Sequence, residues 1–447
     1  MNRRAATSFS ASRLLRGAAC FLLASLALAP LARATKLDLS SHIEIKAANY
    51  SHLITGGQGQ GQELYLENAA LGFIIKNIKL EKAEQSSMDV GIVLNSIGAG
   101  GASTGTLKAA PFREAAARYP HVDGTPYIKE AYIRVYRFLN EKVTATFGRQ
   151  SFTLGQGVTL ADDGLGLPGA HISAEKIYKG ISGEAFFFRP NKDSGFVNLY
   201  GGGILYPSNE GLWHLYHFRE TGDAPAFEPG GSYNSAKKNF TGIRYSLTHK
   251  QLVFDGEFVM QKGTARKPGG GNAAYNGHAF LIKGVWNQHL GMFGASKMRL
   301  TYGKSSGNPG QVTDTDKAFY PAFGHRYKGL ERDGYGEIAG ASLYDIIQTS
   351  NTANGMPCGV SGLNIVNLGA DLPYKKVLFS VDFYTFRAAQ NANGGSLQLG
   401  SEVDFRVTHS LGDNLRLKAV YAVFKPLSLY TGLDPVNLLS LGLSAKF

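Results

Sequence analysis

Charged side chains recur at every second position near the carboxyl terminus of this sequence. Glu402, Asp404 and Arg406 are separated by single apolar residues, and Arg416 and Lys418 follow with the same spacing. Because successive side chains of a β-strand point to opposite faces, this spacing places the charges on one face of each strand. Charges that face a water-filled pore set its preference for ions and solutes. The pattern therefore predicts electrostatic binding of a charged solute.

The same spacing selects charged residues along the whole chain. The basic members are candidates for contacting an anionic solute, since a guanidinium group binds a carboxylate in bidentate fashion. They are Arg134, Arg244, Lys283, Arg299, Arg406, Arg416 and Lys418. The acidic members are Glu130, Asp255, Glu257, Asp382, Glu402 and Asp404. We predict that both sets share one interior face.

A second interpretation applies to the charges nearest the carboxyl terminus. Glu402 and Asp404 precede a predicted turn at 411–414, and Arg416 and Lys418 follow it. Opposite charges on adjacent strands of a hairpin form ion pairs that stiffen a sheet. The sequence leaves both interpretations open here, ion pairing within the hairpin and contact with a solute.

Hydrolase and metal-site motifs are missing from the sequence. It contains neither G-x-S-x-G nor H-E-x-x-H, and its eleven histidines are dispersed. Two acidic pairs, Asp162-Asp163 and Asp314 with Asp316, offer oxygen ligands for calcium, but neither has the spaced ligands of a calcium loop. We therefore predict no catalytic residue, no metal ion and no cofactor.

The elements that position the charges are predicted to be long β-strands. Apolar and polar residues alternate from Leu37 to Ala47 and from Leu415 to Val423. Such runs of about 9–11 residues match the length of a tilted strand that crosses a bilayer. Strands of soluble sandwiches are shorter, at about 5–6 residues. In a membrane barrel the apolar face meets lipid and the charged face lines the interior.

Connections between the predicted strands alternate in length. Short turns at 140–141, 249–250 and 412–413 alternate with long glycine-rich stretches such as 96–125 and 304–340. Outer-membrane barrels have short periplasmic turns and long extracellular loops. At roughly 20–25 residues per strand and connection, residues 35–447 predict about 18 strands, with 16 as the alternative. We therefore predict an all-β fold, a closed antiparallel transmembrane barrel wide enough to enclose an aqueous passage.

The amino terminus carries the features of a secretory signal peptide over residues 1–34. Arginines precede a short apolar run, and an A-x-A cleavage motif follows at 32–34. Removing this segment leaves 41 of the 46 basic residues against all 34 acidic ones, a net charge of +7. The mature chain would then be one barrel domain over 35–447.

The carboxyl terminus reads as the closing strand of the barrel. Ser440, Gly442 and the terminal Phe447 stand among alternating apolar residues. This pattern resembles the terminal signal by which the barrel-assembly machinery recognises outer-membrane proteins of bacteria. We therefore expect localisation in a bacterial outer membrane, with lipid around the barrel.

Several segments resemble the alginate export family of outer-membrane channels. An acidic-Ala-Tyr motif at 130–132 is followed, after a short turn, by Gly-Arg-Gln at 148–150. Segment 318–335 resembles the family's aromatic loop, and segment 400–426 its carboxyl-terminal hairpin. The resemblance covers about a quarter of the chain. It implies a monomeric 18-stranded barrel that passes anionic polysaccharide or other solutes.

The resemblance also implies that Arg149 lies in the lumen. Simple alternation places Arg149 on the same face as the apolar residue Phe147. A lumenal Arg149 therefore requires a β-bulge at Gly148.

Three functions remain open. The resemblance favours a passive channel, weakly anion-selective, for anionic polysaccharide or polyhydroxylated solutes. A general or substrate-specific uptake porin fits the same barrel. The third is a plugged barrel whose rim loops bind a ligand or catalyse a reaction. His171 and His325 are the candidate rim residues, but no catalytic motif surrounds them. We therefore predict that the protein is not an enzyme. Lysines and arginines are scattered, which argues against nucleic acid as a partner.

Overall fold

The computed structural model describes residues 36–51, 61–80, 86–100, 112–162, 164–192, 195–222, 233, 235–267, 269–310, 312, 314–323, 327–346, 355–430 and 432–447. The predicted signal peptide at 1–34 lies outside these residues. Within the described ranges, no helix combines the length and the apolar character needed to span a membrane.

Eighteen antiparallel strands form one closed sheet. They are β1 (Lys36–Tyr50), β2 (Gln62–Lys79), β3 (Ser87–Gly100), β4 (Tyr127–Tyr136), β5 (Val143–Gln150), β6 (Leu167–Tyr178), β7 (Ile181–Phe188), β8 (Gly195–Pro207), β9 (Gly211–Gly222), β10 (Ser235–His249), β11 (Leu252–Arg266), β12 (Asn272–His289), β13 (Ala295–Ser305), β14 (Val360–Tyr374), β15 (Val377–Asn391), β16 (Gln398–Ser410), β17 (Leu415–Pro426) and β18 (Val436–Lys446). Each strand pairs with its neighbours in sequence, and β1 pairs with β18. The predicted closed barrel of 18 strands is confirmed.

The last residues of the chain close the barrel. Strand β18 runs antiparallel to β1 from the pair Tyr50–Leu438 to the pair His42–Lys446. Beyond it, the backbone N–H groups of Ser41 and Phe447 each donate to the carbonyl oxygen of the other residue at 2.9 Å. Closure satisfies the backbone groups of both terminal strands, which would otherwise form an open edge. The recognition of this strand by an assembly machinery stays a prediction.

Strand residues alternate between the inside and the outside of the barrel, as the sequence predicts. In β11, Glu257 and Gln261 are buried on the inner face, whereas Phe258 and Met260 are 40% and 44% exposed on the outer face. In β18, Leu439 and Leu441 are 62% and 53% exposed. Large apolar side chains thus form the outer surface, as lipid contact requires.

The two rims differ in the lengths of their connections. One rim, here the turn rim, has connections of two to seven residues, and the other, the loop rim, has connections of five to 54 residues. This agrees with the predicted alternation. The loop rim carries the helix α1 (Phe112–Arg118), the β5–β6 loop (151–166) and the β13–β14 loop (306–359).

Both of these loops fold into the barrel and pack against its inner wall. Leu154 of the β5–β6 loop and Phe319 of the β13–β14 loop belong to one buried cluster with the inward aromatic residues Phe188, Phe218 and Phe240. The loops also contact each other through backbone hydrogen bonds between 159–161 and 322–323. The loop-rim half of the interior is therefore an apolar core, and the charged groups lie beside and beneath it.

Candidate functional site

Two buried carboxylates attach the β13–β14 loop to the wall. The oxygens of Glu402 accept hydrogen bonds from the backbone N–H groups of Ile338 at 2.7 Å and Ala339 at 3.0 Å. Asp404 accepts one from the N–H of Glu337 at 3.1 Å. Both acidic residues are 0% exposed. A buried hydrogen bond contributes about 0.5–1.5 kcal/mol net, and three of them together hold this segment of the loop against the inner wall.

A glycine makes this attachment possible. Gly336 precedes the three donating N–H groups and has a φ of 86°. A Cβ atom at this position would lie against the carboxylate of Glu402 at less than van der Waals distance. Only glycine combines this backbone conformation with so close an approach.

Among the described residues the acidic pair does not bond to Arg416 or Lys418, so ion pairing across the β16–β17 hairpin, one of the two interpretations that the sequence left open, is not formed. The register places Lys418 opposite Thr408, and Asp404 opposite Ala422. Acidic and basic residues are therefore displaced along the strands. The carboxylates instead satisfy backbone donors of the inward loop.

Glu337 of the loop is the partner of the basic wall residues. Its Oε1 lies 2.9 Å from Nζ of Lys418 and 3.3 Å from Nη1 of Arg406. Burial favours the neutral form of Glu337, but the charges of Lys418, Lys46 and Arg406 outweigh it and hold the pKa of this carboxyl below its usual range. The loop therefore carries a fixed negative charge into a basic part of the wall.

Arg299 and Arg406 are joined through a buried carboxylate. Asp382, 1% exposed, accepts from Arg299 at 2.8 Å and also pairs with Arg406. Arg299 pairs with Asp371 in addition. These residues lie on the inner side of the wall, and their charges are largely compensated within it.

The β5–β6 loop is held in a similar way by the opposite wall. Glu257 accepts a hydrogen bond from the backbone N–H of Gln156. Arg244 pairs with Asp255 through two bonds of 2.8 and 2.6 Å and donates to the carbonyl oxygen of Gly155 at 2.8 Å. Arg244 therefore holds the inward β5–β6 loop, and its charge is paired with Asp255.

A charged cavity of about 480 Å³ lies between the β13–β14 loop and the wall formed by β16, β17, β18 and β1. Its lining is rich in charged groups. The basic ones are Lys46, Lys328, Arg332, Arg406, Arg416 and Lys418, and the acidic ones are Glu44, Glu331, Asp333 and Glu337. Basic groups therefore outnumber acidic ones in the lining, although Arg332 also pairs with the buried Asp345 at 2.7 Å and Arg406 with Asp382.

Arg416 is the basic residue of this cavity whose charge is least compensated. It is exposed to the cavity, and no carboxylate pairs with it in the part of the chain that the structure describes. Lys418 is 43% exposed although it contacts Glu337. The two side chains present a free guanidinium and a partly free ammonium group to a solute.

A smaller cavity of about 260 Å³ lies between the two inward loops. Gln156, Tyr335 and Lys283 line it, and it shares Asp333 and Gly334 with the larger cavity. Among the described residues, Lys283 has no ion-pair partner. The predicted lumenal Lys283 is therefore a second free cation, separated from Arg416 by the β13–β14 loop.

Arg134 lies away from both cavities. Its guanidinium carbon is 5.1 Å from the centre of the Tyr132 ring, and its Nε donates to Oγ1 of Thr146 at 3.3 Å. The nearby Glu130 accepts a hydrogen bond from Ser151 at 2.6 Å. Both residues therefore stabilise the wall around β4 and β5.

Arg149 does not occupy the lumenal position that the family resemblance implied. Strands β4 and β5 stay in register through Gly148, which lies opposite Tyr132, so the required bulge is not formed. The guanidinium of Arg149 donates to the carbonyl oxygens of Leu165 at 2.9 Å and Gly166 at 3.2 Å. Arg149 therefore fastens the end of the β5–β6 loop.

The acidic pairs considered for calcium bond to protein groups. Asp162 accepts hydrogen bonds from the N–H groups of Leu165 and Gly166 at 3.0 and 2.6 Å, and Asp316 accepts one from Asn308 at 2.6 Å. Across the described ranges, no group of three or more His, Cys, Asp or Glu side chains is arranged to hold a metal ion.

Of the rim histidines, His171 lies in β6 and contacts Glu184 at 3.1 Å. Glu184 also contacts His214 at 3.1 Å. His325 and Asp163 lie outside the described residues. His171 therefore lies in a strand of the wall, beside the carboxylate of Glu184.

Of the ten charged residues that line the larger cavity, the sequence analysis identified three and missed seven, of which Lys46 and Glu337 matter most here. Lys46 follows His42 and Glu44 at strand spacing, so the alternation in β1 could have identified it. It bonds to Glu331 of the loop at 2.7 Å. Glu337 carries no such signal, because its loop has no periodic pattern.

Comparison with known proteins gives matches of fold only. No family model matches the sequence, and no curated protein does so either. Among solved structures, OccAB2 of Acinetobacter baumannii matches with a TM-score of 0.58 at 11% identity, covering 92% of this chain and 98% of that one. OccK2 (OpdF) of Pseudomonas aeruginosa, solved in complex with glucuronate, matches with a TM-score of 0.54 at 11% identity and the same coverage.

A third match is OpdK, an outer membrane protein of Pseudomonas aeruginosa. Its structure with vanillate has a TM-score of 0.52 at 10% identity, covering 92% of this chain and 98% of that one. These matches show that the chain shares the fold of these proteins, a closed 18-stranded β-barrel. The likeness does not single out the alginate export family.

Proposed function

We propose that this protein is a passive outer-membrane channel for the uptake of small anionic solutes, with carboxylates as the preferred class. Two proteins of similar fold were solved with glucuronate and vanillate, and both of these compounds carry a carboxylate. The likeness to those proteins is one of fold, so the proposal depends on the residues of this lumen.

The observation that carries the proposal is the basic cavity beside the β13–β14 loop. Its volume of about 480 Å³ falls in the range of about 300–1,000 Å³ that is usual for small-molecule sites. Arg416 can bind a carboxylate through two parallel hydrogen bonds, and Lys418 adds a second positive charge. A solute with one carboxylate and several hydroxyl groups fits this chemistry.

The inward loops favour the uptake porin over the export of polysaccharide. A polymer needs an open passage along the whole barrel. Here the interior holds two loops that are anchored by Glu402, Asp404 and Glu257 and share a buried apolar core. The cavities that remain suit solutes of the size of a monosaccharide.

Localisation and partners are part of the same proposal. The exposed apolar outer face suits the lipid of an outer membrane. The signal peptide at 1–34 and the assembly signal at Ser440, Gly442 and Phe447 would deliver the chain there. We expect a monomeric barrel, and no cofactor takes part because diffusion through the lumen needs none.

Flux into liposomes that contain the purified barrel tests the proposal. Swelling is compared for glucuronate, for glucose as the neutral counterpart, and for an oligouronate of six or more sugars. We expect glucuronate to enter faster than glucose and the oligouronate to be excluded. Entry of the oligouronate would support the polysaccharide channel instead, and no entry of any solute would support a plugged barrel. Either result would overturn the proposal.

A further inference from the structure

The outer face of strands β9 to β12 changes from apolar to basic on approaching the loop rim. One register row across these strands is entirely apolar and consists of Leu215, Ile243, Phe258 and Phe280. Four residues along each strand towards the loops, another outward row is entirely polar. It consists of Arg219, Asn239, Lys262 and Asn276, and we call it the basic row.

Among the described residues of strands β9 to β12, no acidic side chain shares the outer face with the basic row. Strands β9 to β12 contain three acidic residues, and all of them point inward. Glu220 pairs with the inward Lys238 at 3.0 Å, whereas Asp255 and Glu257 belong to the lumen network. Lys237, which is exposed, adds a further outward charge one row nearer the loops.

The basic row places a guanidinium, two amides and an ammonium group side by side on neighbouring strands of the outer face. Lys262 bonds to Asn276 on the neighbouring strand, which orders both side chains. The Nε atom of Arg219 is buried and finds no hydrogen-bond acceptor among the described residues. Adjacent strands are about 4.8 Å apart, so a guanidinium, an amide and an ammonium group follow one another at a spacing that phosphate oxygens can bridge.

We propose that the basic row binds the phosphate groups of an anionic lipid in the leaflet at the loop rim. A lipid whose chains cover the apolar row brings its headgroup to the level of Arg219 and Lys262. Clusters of basic side chains at the edge of a membrane attract anionic headgroups, and long basic side chains reach the headgroup region readily. Tyr200, which lies opposite Arg219 in β8 and is 40% exposed, adds an aromatic side chain of the type found at this boundary.

The experiment uses lipid A, a glycolipid with two phosphate groups, and the purified full-length barrel in detergent. Native mass spectrometry counts bound lipid A as its concentration rises. The test variant is R219Q/K262Q. The control is R387Q/K425Q, which also removes two outward cations near the loop rim, but from β15 and β17, where they lie in different register rows.

We expect the wild type and R387Q/K425Q to bind one lipid A with equal affinity, and R219Q/K262Q to bind it at least tenfold more weakly. The affinity of the wild type for dephosphorylated lipid A should be no higher than the affinity of R219Q/K262Q for lipid A. Unchanged binding by R219Q/K262Q, or equal loss in both double variants, would overturn the proposal. So would a wild-type dimer that only R219Q/K262Q abolishes, since the row would then be an interface between two copies of the chain.

Heat-modifiable migration in gels verifies that each variant forms a barrel. If R219Q/K262Q fails to fold, the wild type alone decides the question. Equal binding of lipid A and its dephosphorylated form to the wild type would then refute a phosphate site, and a tenfold preference for the phosphorylated form would support it.

Discussion

Two walls of the lumen each hold an inward loop, but only one of them keeps basic charge in excess. On both walls a buried carboxylate, Glu402 on β16 and Glu257 on β11, accepts hydrogen bonds from loop backbone. Beside Glu257, the charge of Arg244 is paired with Asp255, and its guanidinium also donates a hydrogen bond to the loop. Beside Glu402, the wall around Arg416 exposes more basic than acidic groups to a cavity. Loop anchoring and solute selection are therefore separable tasks.

The anchor at Glu402 gives the largest expected effect. Replacing Glu402 by alanine leaves the buried N–H groups of Ile338 and Ala339 without their acceptor, which costs about 2–6 kcal/mol together. We expect the loop to leave its position, which raises single-channel conductance and makes it fluctuate. Recording in planar bilayers measures this change.

Glu44→Gln is the matched control for that variant. Glu44 contacts Lys328 of the same loop, but Lys328 is 54% exposed, so this pair contributes little. Its conductance should stay near the wild-type value. If both variants conduct like the wild type, the buried carboxylate does not anchor the loop.

The glycine next to the anchor gives the second effect. Gly336→Ala introduces a Cβ against Glu402 at a positive φ and should weaken the attachment by about 1–3 kcal/mol. Conductance should therefore rise less than in Glu402→Ala. Gly310→Ala in the same loop, where a Cβ meets no atom within 4 Å, should leave conductance unchanged. Equal behaviour of the two alanine variants would exclude steric control at Gly336.

Arg416, whose guanidinium has no carboxylate partner among the described residues, tests whether the wall beside Glu402 selects the solute. Arg416→Gln should weaken the block of chloride current by glucuronate roughly tenfold, since one bidentate charged contact is lost. Lys425→Gln, which removes an outward charge from the same strand, serves as the control and should leave the block unaltered. A similar loss in both variants would show that the block responds to overall charge rather than to Arg416.

Lowering the pH gives the smallest expected effect, which arises from protonation of the Glu337 carboxylate. Its pKa lies below the usual value near 4.3, because Lys46 of β1, Arg406 of β16 and Lys418 of β17 outweigh burial and the neighbouring Asp404. The ion pairs therefore hold the loop at neutral pH and are lost as the pH falls below about 4. Conductance should rise modestly in that window. The Glu337→Gln variant should not show this rise in conductance at acidic pH. If the rise is unchanged in the variant, another group causes it.

The sequence predicts the barrel better than the contents of its lumen. Alternation of charged and apolar residues in β16 and β17 identified the inward face correctly, because a strand has a fixed period of two. The alternation did not predict which residues of β16 and β17 lie opposite each other. That register, with Lys418 opposite Thr408, depends on the 411–414 turn. For this reason the sequence left open whether Asp404 pairs with Arg416 and Lys418.

The apolar inner residues and the loop positions were also beyond the sequence pattern. Phe188 and Phe218 point inward, against the expectation of a polar lumen, because the β5–β6 and β13–β14 loops fill that half of the barrel. A loop without periodicity gives no signal of where it will pack. Glu337 is therefore identified as a site residue only from the structure, in which its loop packs against the inner wall.

The most direct test of the charge excess beside the β13–β14 loop is the reversal potential of the wild-type channel in a potassium chloride gradient. A basic surplus in the lining predicts a potential that favours chloride, and R416Q/K418Q should bring it close to the value of a non-selective pore. A wild-type channel that favours potassium would contradict the account.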